Sequence, residues 1–357
     1  MGLSIREYVA GSHFFWRARG CVSSLRDLDA SHGVLAKWNL NDQIGTANGH
    51  ELTVVELEHG KVVGEVRLAA THNDVVLGSV QALHGCANPH DHYTIKQARF
   101  RWPVRLRGAA WLIGTPQIDN YYHWLLESAP RWKLMQGAAK EDYDFVLLNS
   151  RNPRFQKEVL DRIGVPEKKR LHCSKWRVYQ FDHLFVPSMP FPVQEVSEWS
   201  CQWVRSLFPE KDPAAPERLY ITRRQVSRKR LRRRLVNEEQ LEARLQRLGF
   251  TVVRPEHISI AEQAKLFGNA RCVVAPHGAG CVNLLFAPAG ALLIELFDPG
   301  FGTRSFETLS ASCHQRYVRM VGKRVKQKPV DHSRRPLMEY EINLGQLEQH
   351  LAEHGII

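Results

Sequence analysis

Arg271-Cys-Val-Val-Ala-Pro-His277-Gly-Ala-Gly280-Cys-Val-Asn283 is the stretch on which the reading of this chain turns. Val273 and Val274 centre a short apolar run that reads as a buried strand, and the run passes directly into a glycine loop and a short helix. Such a junction gathers free backbone N–H groups and a helix N-terminus at one point, which makes an anion site, most often for phosphate. Gly278 and Gly280 are read as positions that need φ > 0 and a close backbone approach. His277 adds an imidazole at the same mouth. Alone, the loop is a weak signal, because a tight strand-to-helix turn needs glycine for steric reasons.

Around it the pattern is regular. Leu219–Thr222 reads as a strand, followed by a basic loop and a helix over Asn237–Leu248, with Leu241, Leu245 and Leu248 on one face and Gly249 as the stop. Asn237 is the expected N-cap, and Glu238 and Glu239 suit the positive end of the helix. Phe250–Val253 is a further strand, and Ser259 with Glu262 forms a capping box that opens a helix ending near Gly268. Cys272–Ala275 and Leu292–Phe297 complete the series. Strands and helices alternating at this spacing predict a parallel sheet covered on both faces, a Rossmann-like domain. Ligands bind such sheets at the carboxyl ends of the strands. Arg223, His277, the amides of Gly278 to Gly280 and Glu295 are therefore expected around one pocket.

The first half alternates less cleanly: strand Trp111–Gly114, helix Tyr121–Met135, strand Phe145–Leu148, helix Phe155–Ile163 and strand Leu184–Val186. Short Val-rich alternations at Leu52–Leu57 and Lys61–Leu68 read as antiparallel β structure. The expected domain scheme has a β-rich part at 1–107, a Rossmann-like part at 108–208 and a Pro-Glu-Lys-Asp-Pro-Ala-Ala-Pro linker at 209–216. A C-terminal Rossmann-like lobe at 217–330 and a tail with a helix at 331–357 follow.

The 357 residues are 43% apolar and 24% charged, as in an ordinary globular protein. No apolar run reaches the roughly 18 residues that cross a bilayer. Without a basic-then-apolar leader, and with cysteines scattered at 21, 86, 173, 201, 272, 281 and 313, the expected compartment is the reducing cytoplasm. No metal or disulfide framework is expected. The net charge is +12, and much of it lies between Arg223 and Arg234. That block suits nucleic acid, an anionic membrane surface or a phosphorylated small molecule, against the plainer reading of a solvated loop. It has no interleaved aromatics, so nucleic acid is the alternative rather than the expectation.

A second constellation is Asn120-Tyr121-Tyr122-His123-Trp124-Leu-Leu-Glu127. Asn120 can cap a helix, and His123 and Glu127, four apart, share one helical face. An imidazole and a carboxylate in that relation can act as an oriented general base, or form a structural pair. Tyr121, Tyr122 and Trp124, with Trp132, suit a platform for a sugar or base.

Asn120-Tyr-Tyr-His-Trp-Leu-Leu-Glu-Ser-Ala-Pro-Arg131 resembles the first hallmark of glycosyltransferase family 61, a group that includes capsular polysaccharide biosynthesis proteins. Tyr220-Ile-Thr-Arg223, Arg233-Arg234-Leu-Val-Asn237-Glu238, Pro255-Glu256 with Ile260-Ala-Glu262-Gln263, His277-Gly-Ala-Gly280 with Asn283, and Ile294-Glu295-Leu296 follow in the family's order. The resemblance spans roughly residues 108 to 320 and implies a GT-B-like α/β architecture, two Rossmann-like lobes facing across a cleft, here with the N-terminal β-rich elaboration. It also implies inverting transfer from a nucleotide-sugar, a UDP-sugar by expectation, with no essential metal or other cofactor. The acceptor would be a glycan or lipid-linked saccharide in surface polysaccharide biosynthesis. On that basis Arg223, Arg228, His277, Gly278, Ala279, Gly280, Asn283 and Glu295 are donor-site candidates, with Glu295 at the ribose hydroxyls. Glu127 is nominated as base, with His123 orienting it or serving instead, and Asn120, Tyr121, Tyr122 and Trp124 are acceptor-site candidates. The basic balance admits peripheral contact with the inner face of an anionic membrane. A non-catalytic glycan-binding relative is the remaining alternative.

Overall fold

The structure, a computed structural model, describes residues 13–15, 20–22, 25–44, 50–66, 68–78, 99–138, 142–149, 153–192, 194–224, 233–327 and 338–357. The chain divides into two compact units, Met1–Val193 and Gln194–Ile357. The Pro209–Pro216 stretch, expected as a linker, lies inside the second unit.

The strands of the first unit include β1 (Val34–Asn39), β2 (Thr53–Glu58), β3 (Lys61–Val63), β4 (Leu68–Ala70), β5 (Arg99–Trp111), β6 (Phe145–Asn149), β7 (Arg170–Cys173) and β8 (Arg177–Pro187), with shorter strands at His13–Phe15, Gly20–Val22 and Val75–Leu77 in the same sheet. Four of them are mutually parallel in the order β7-β6-β5-β8. Counted along the chain, that order is 3-2-1-4, one half of a doubly wound sheet. The antiparallel strands β2 and β3 pair with the far edge of β8, and β1 with β2. The β-rich elaboration therefore continues the parallel sheet instead of forming a layer of its own. Two strands expected to be short are long: β5 has 13 residues and β8 has 11. They lie side by side, and β8 also carries the antiparallel flank, so it is hydrogen-bonded over most of its length.

The helix expected over Tyr121–Met135 is interrupted. His123–Ser128 winds as a π-helix and α1 (Arg131–Gly137) starts afresh after Pro130. Proline lacks the N–H that would continue the ladder. Ala129 N instead donates to Trp124 O at 2.8 Å, an i→i+5 bond. Helix α2 (Arg154–Arg162) follows β6.

The second unit contains α3 (Glu198–Leu207), β9 (Arg218–Ile221), β10 (Arg233–Leu235), α4 (Glu238–Arg247), β11 (Thr251–Val253), α5 (Ile260–Phe267), β12 (Cys272–Pro276) and a 3-10 helix at Ala279–Phe286. Then come β13 (Leu292–Phe297), α6 (Ser305–Ser312), β14 (Arg316–Val321), β15 (Lys323–Gln327), β16 (Met338–Glu341) and α7 (Leu344–Glu353). The main sheet is wholly parallel in the order β11-β9-β12-β13-β14. Every residue of β12 and β13 is buried, as strands covered on both faces must be. Val274, Ile294 and Leu296 pack with Leu241 and Leu245 of α4 and Leu347 and Leu351 of α7. Val273, Leu293 and Phe297 alternate with them toward the other face and are also buried. Each such aliphatic side chain contributes about 1.5–3 kcal/mol through burial.

Two local expectations are corrected. Asn237 does not cap α4: its side chain donates to Ile342 O at 2.8 Å and accepts from Ile342 N at 3.1 Å, tying the helix start to the end of β16. The stretch expected as one basic loop contains β10, which pairs in parallel with β16 in a separate three-stranded sheet completed by β15. The Ser259–Glu262 capping box forms as expected.

Candidate functional site

Counted along the chain, β11-β9-β12-β13-β14 is the order 2-1-3-4-5, and the winding reverses between β9 and β12. Loops leaving the carboxyl ends of strands diverge there, which opens a crevice for a ligand. The residues following those two strands are Thr222-Arg223 and His277-Gly278. They meet directly: Arg223 Nη1 donates to the carbonyl of His277 at 2.6 Å.

Buried carboxylates hold both loops. Glu238 Oε1, at the start of α4, accepts from Arg223 N at 2.6 Å, Tyr220 Oη at 3.1 Å and Thr222 Oγ1 at 3.1 Å. Burial raises its carboxyl above the usual range, against the pull of those donors. Arg224 pairs with Glu242 at 2.9 Å on the next turn. On the other side, Glu295 is 1% exposed, with Oε1 on His277 Nδ1 and Oε2 accepting from Tyr317 Oη at 2.7 Å. Expected at ribose hydroxyls, Glu295 is thus the partner that fixes the His277 ring. That ring stacks on Phe297 at 5.1 Å and touches Phe301 and Phe306. Burial lowers the His277 pKa, Glu295 pulls it back up, and Arg233 and Arg223 lower it further.

The glycine loop works differently from its sequence reading. Gly278 has φ 177°, extended backbone open to any residue, and Gly280 has no positive φ either. What favours glycine at 278 is space: a Cβ there would lie 3.3 Å from Arg223 Nη1 and 3.4 Å from its Cζ, so the guanidinium would have to give by a few tenths of an ångström. Ala279 opens the 3-10 helix. Asn283 is fully buried, and its amide donates to Gln263 Oε1 at 2.5 Å, so it locks the 3-10 helix to α5. Arg228 lies outside the described residues. The described arginines of the basic block are engaged within the unit: Arg233 sits 3.8 Å over the Phe301 ring and Arg234 lies 3.4 Å from Glu339.

In the first unit the winding reverses between β5 and β8, and the second constellation follows β5. His123 Nδ1 is 2.8 Å from Glu127 Oε2, with the side chains 18% and 10% exposed. Asn120, exposed, accepts from Tyr122 N at 3.0 Å and so caps the turn that starts the π-helix. Tyr121 packs edge-on against Phe155 at 5.4 Å, and Tyr122 edge-on against His123 at 5.2 Å. Trp124 is fully buried, so its indole has no face to offer an acceptor; the π-helix turns it into the core. Arg131, also fully buried, donates to Gly114 O at 2.8 Å and Pro187 O at 2.5 Å, joining the loop after β5 to the end of β8. Burial lowers its guanidinium to about 9, still charged at neutral pH.

Residues 121–294 match the family model described as Glycosyltransferase 61. Through this region the chain belongs to glycosyltransferase family 61. A search of curated proteins gave no match. Family membership makes the chain a glycosyltransferase, acting between a sugar donor and a glycan acceptor.

The glycosyltransferase 61 region contains His123, Glu127, Arg223 and the 277–283 loop, and it ends one residue before Glu295. Sequence reasoning missed four supports of these groups: Glu238 as an acceptor rather than a first-turn charge, Tyr317 behind Glu295, Arg131 between the loop after β5 and the end of β8, and Gln263 behind Asn283. Arg131, Glu238 and Gln263 carried a signal, as members of the quoted motifs; Tyr317 carried none. Among the described residues, no group of three or more His, Cys, Asp or Glu side chains is placed to hold a metal, and no helix is long and apolar enough to cross a membrane.

Proposed function

We propose that this glycosyltransferase is inverting and metal-independent and uses a UDP-sugar, adding the sugar to a hydroxyl of a glycan or lipid-linked saccharide in surface polysaccharide synthesis. The observation that carries the donor reading is the Arg223–His277 contact at the reversal point of the parallel sheet. A guanidinium and the amides beginning the 3-10 helix at Ala279 supply fixed positive charge there, the requirement for stabilising a departing diphosphate. In this reading Gly278, Ala279 and Gly280 cradle the diphosphate, Arg223 and His277 contact it, and Glu295 and Asn283 act by holding His277 and the 3-10 helix in place. The first unit supplies the base. Glu127 removes the proton of the attacking hydroxyl and His123 orients its carboxylate, with Asn120, Tyr121 and Tyr122 toward the acceptor. We place the enzyme in the cytoplasm, at the inner face of the membrane.

Calorimetric titration of the purified protein with UDP and a panel of UDP-sugars tests the donor site. Binding in the micromolar to millimolar range is expected, and no binding at millimolar nucleotide would refute it. Glu127→Ala should lower turnover by about 100-fold or more while donor affinity stays within a factor of about two, because a general base contributes about 10²–10⁴. Turnover close to wild type would remove Glu127 from that role.

A further inference from the structure

Among the described residues, hydrogen bonds hold the His277 ring at Nδ1 only. Glu295 Oε2 accepts from the Tyr317 hydroxyl, and Oε1 meets His277 Nδ1. A carboxylate that accepts on both oxygens fixes the imidazole as its Nδ1–H tautomer. In that tautomer Nε2 is an acceptor, and among the described residues it has no hydrogen-bond partner. An acceptor nitrogen repels a phosphate oxygen; it becomes a donor only by taking up a proton.

We infer that donor binding is proton-coupled: the diphosphate is bound with His277 doubly protonated, the imidazolium Nε2–H donating to a phosphate oxygen and Nδ1–H to Glu295. This rests on the donor reading above. One proton moves from solvent to Nε2 as the nucleotide binds; no covalent bond changes. When the glycosidic C–O bond later breaks, its electron pair goes to the diphosphate oxygen, and the imidazolium stabilises that charge.

The surroundings suit a ring that is neutral when empty and charged when occupied. Arg223 from the loop after β9 and Arg233 of β10 oppose its protonation, as does burial among Phe297, Phe301 and Phe306. Glu295 favours it, and Tyr317 of β14 donates to that carboxylate, while Arg319 of the same strand lies 4.1 Å over the Phe297 ring. Asp298 beyond β13 faces Arg233, and Cys281 of the 3-10 helix, its thiol pushed up by burial, stays neutral. A bound diphosphate adds negative charge beside the two arginines and cancels their repulsion of the imidazolium. The free ring titrates below its ordinary value, and the added negative charge moves the bound ring upward from there. Affinity therefore weakens as pH rises through the interval between the two, by up to about tenfold per pH unit.

Isothermal titration with UDP-sugars near neutral pH, repeated in buffers of different ionisation enthalpy, reads the proton directly. These ligands suit the test because their diphosphate is esterified at both ends and does not itself titrate near neutrality. The wild type should take up a fraction approaching about one proton per nucleotide bound. His277→Gln presents a permanent N–H donor, so its binding should occur without proton uptake and with a flat pH profile. UDP-sugar binding by the wild type with no proton exchange overturns the inference and leaves the donor site standing, as does a His277→Gln protein that binds with undiminished uptake. Should His277→Gln fail to fold, the wild-type buffer series decides alone. If no UDP-sugar binds at any pH, the donor reading falls and this inference with it.

Discussion

Glu238 is the most informative residue to remove. Its Oε1 accepts from the Arg223 amide, the Tyr220 hydroxyl and Thr222 Oγ1, all at the mouth of β9. The Thr222 hydroxyl has one proton to give and is also in contact with Glu242, so it keeps a partner when Glu238 is lost. Two donors, Tyr220 Oη and Arg223 N, would be orphaned by Glu238→Ala. An unsatisfied buried donor costs about 1–3 kcal/mol, or about 2–6 kcal/mol for the pair. Part is recovered because a carboxylate no longer has to be buried, the same penalty that raises its pKa. The expected net loss is about 2–4 kcal/mol. Glu238→Gln keeps an oxygen at the acceptor position and relieves repulsion from Glu242, so it should cost about 1 kcal/mol.

Urea unfolding followed by circular dichroism measures both variants, and nucleotide titration measures the consequence for the loop that carries Arg223. The pH dependence has a definite sign. A carboxyl whose folded pKa lies above its unfolded value of about 4.5 stabilises the fold most below that value. This contribution is lost as pH rises through the folded pKa, and Glu238→Gln should flatten that slope. Equal stabilities for the Ala and Gln variants, or a Glu238→Ala protein within about 0.5 kcal/mol of wild type, would refute the assignment of Glu238 as the acceptor that fixes this loop.

Gly278→Ala tests whether the glycine serves space rather than backbone freedom. With φ at 177° alanine fits the backbone, so stability should change by less than about 0.5 kcal/mol, while a Cβ 3.3 Å from Arg223 Nη1 displaces the guanidinium and weakens UDP binding about tenfold. A large fall in melting temperature with unchanged UDP affinity would point to backbone strain instead. Arg131→Met should destabilise the first unit by about 2–4 kcal/mol, since it strands the carbonyls of Gly114 and Pro187; unfolding curves that overlay wild type would show that the guanidinium is dispensable.

Much of the second unit was legible because local signals agreed with each other. The apolar runs at 219, 251, 272 and 292 are short and bounded by caps and glycines, which leaves a parallel α/β sheet as the consistent solution. The His123–Glu127 approach was also local, set by a four-residue spacing that survives a π-helical turn. Strand order was not local. That β9 lies between β11 and β12, bringing the Arg223 and His277 loops into contact, depends on pairings between residues tens of positions apart.

The same distinction explains which partners the sequence did not announce. Asn237, Glu295 and Asn283 were each read as groups facing outward to a helix end or a ligand, and each was claimed by a partner from a distant segment: Ile342, Tyr317 and Gln263. A buried polar group must find a hydrogen bond wherever packing offers one, and no spacing rule announces which. For the opening stretch, Arg271 to Asn283, the sequence by itself determined a buried strand and a glycine loop suited to an anion. Only the tertiary structure decided what Gly278 leaves room for, because the guanidinium that lies against its missing Cβ comes from the loop after another strand.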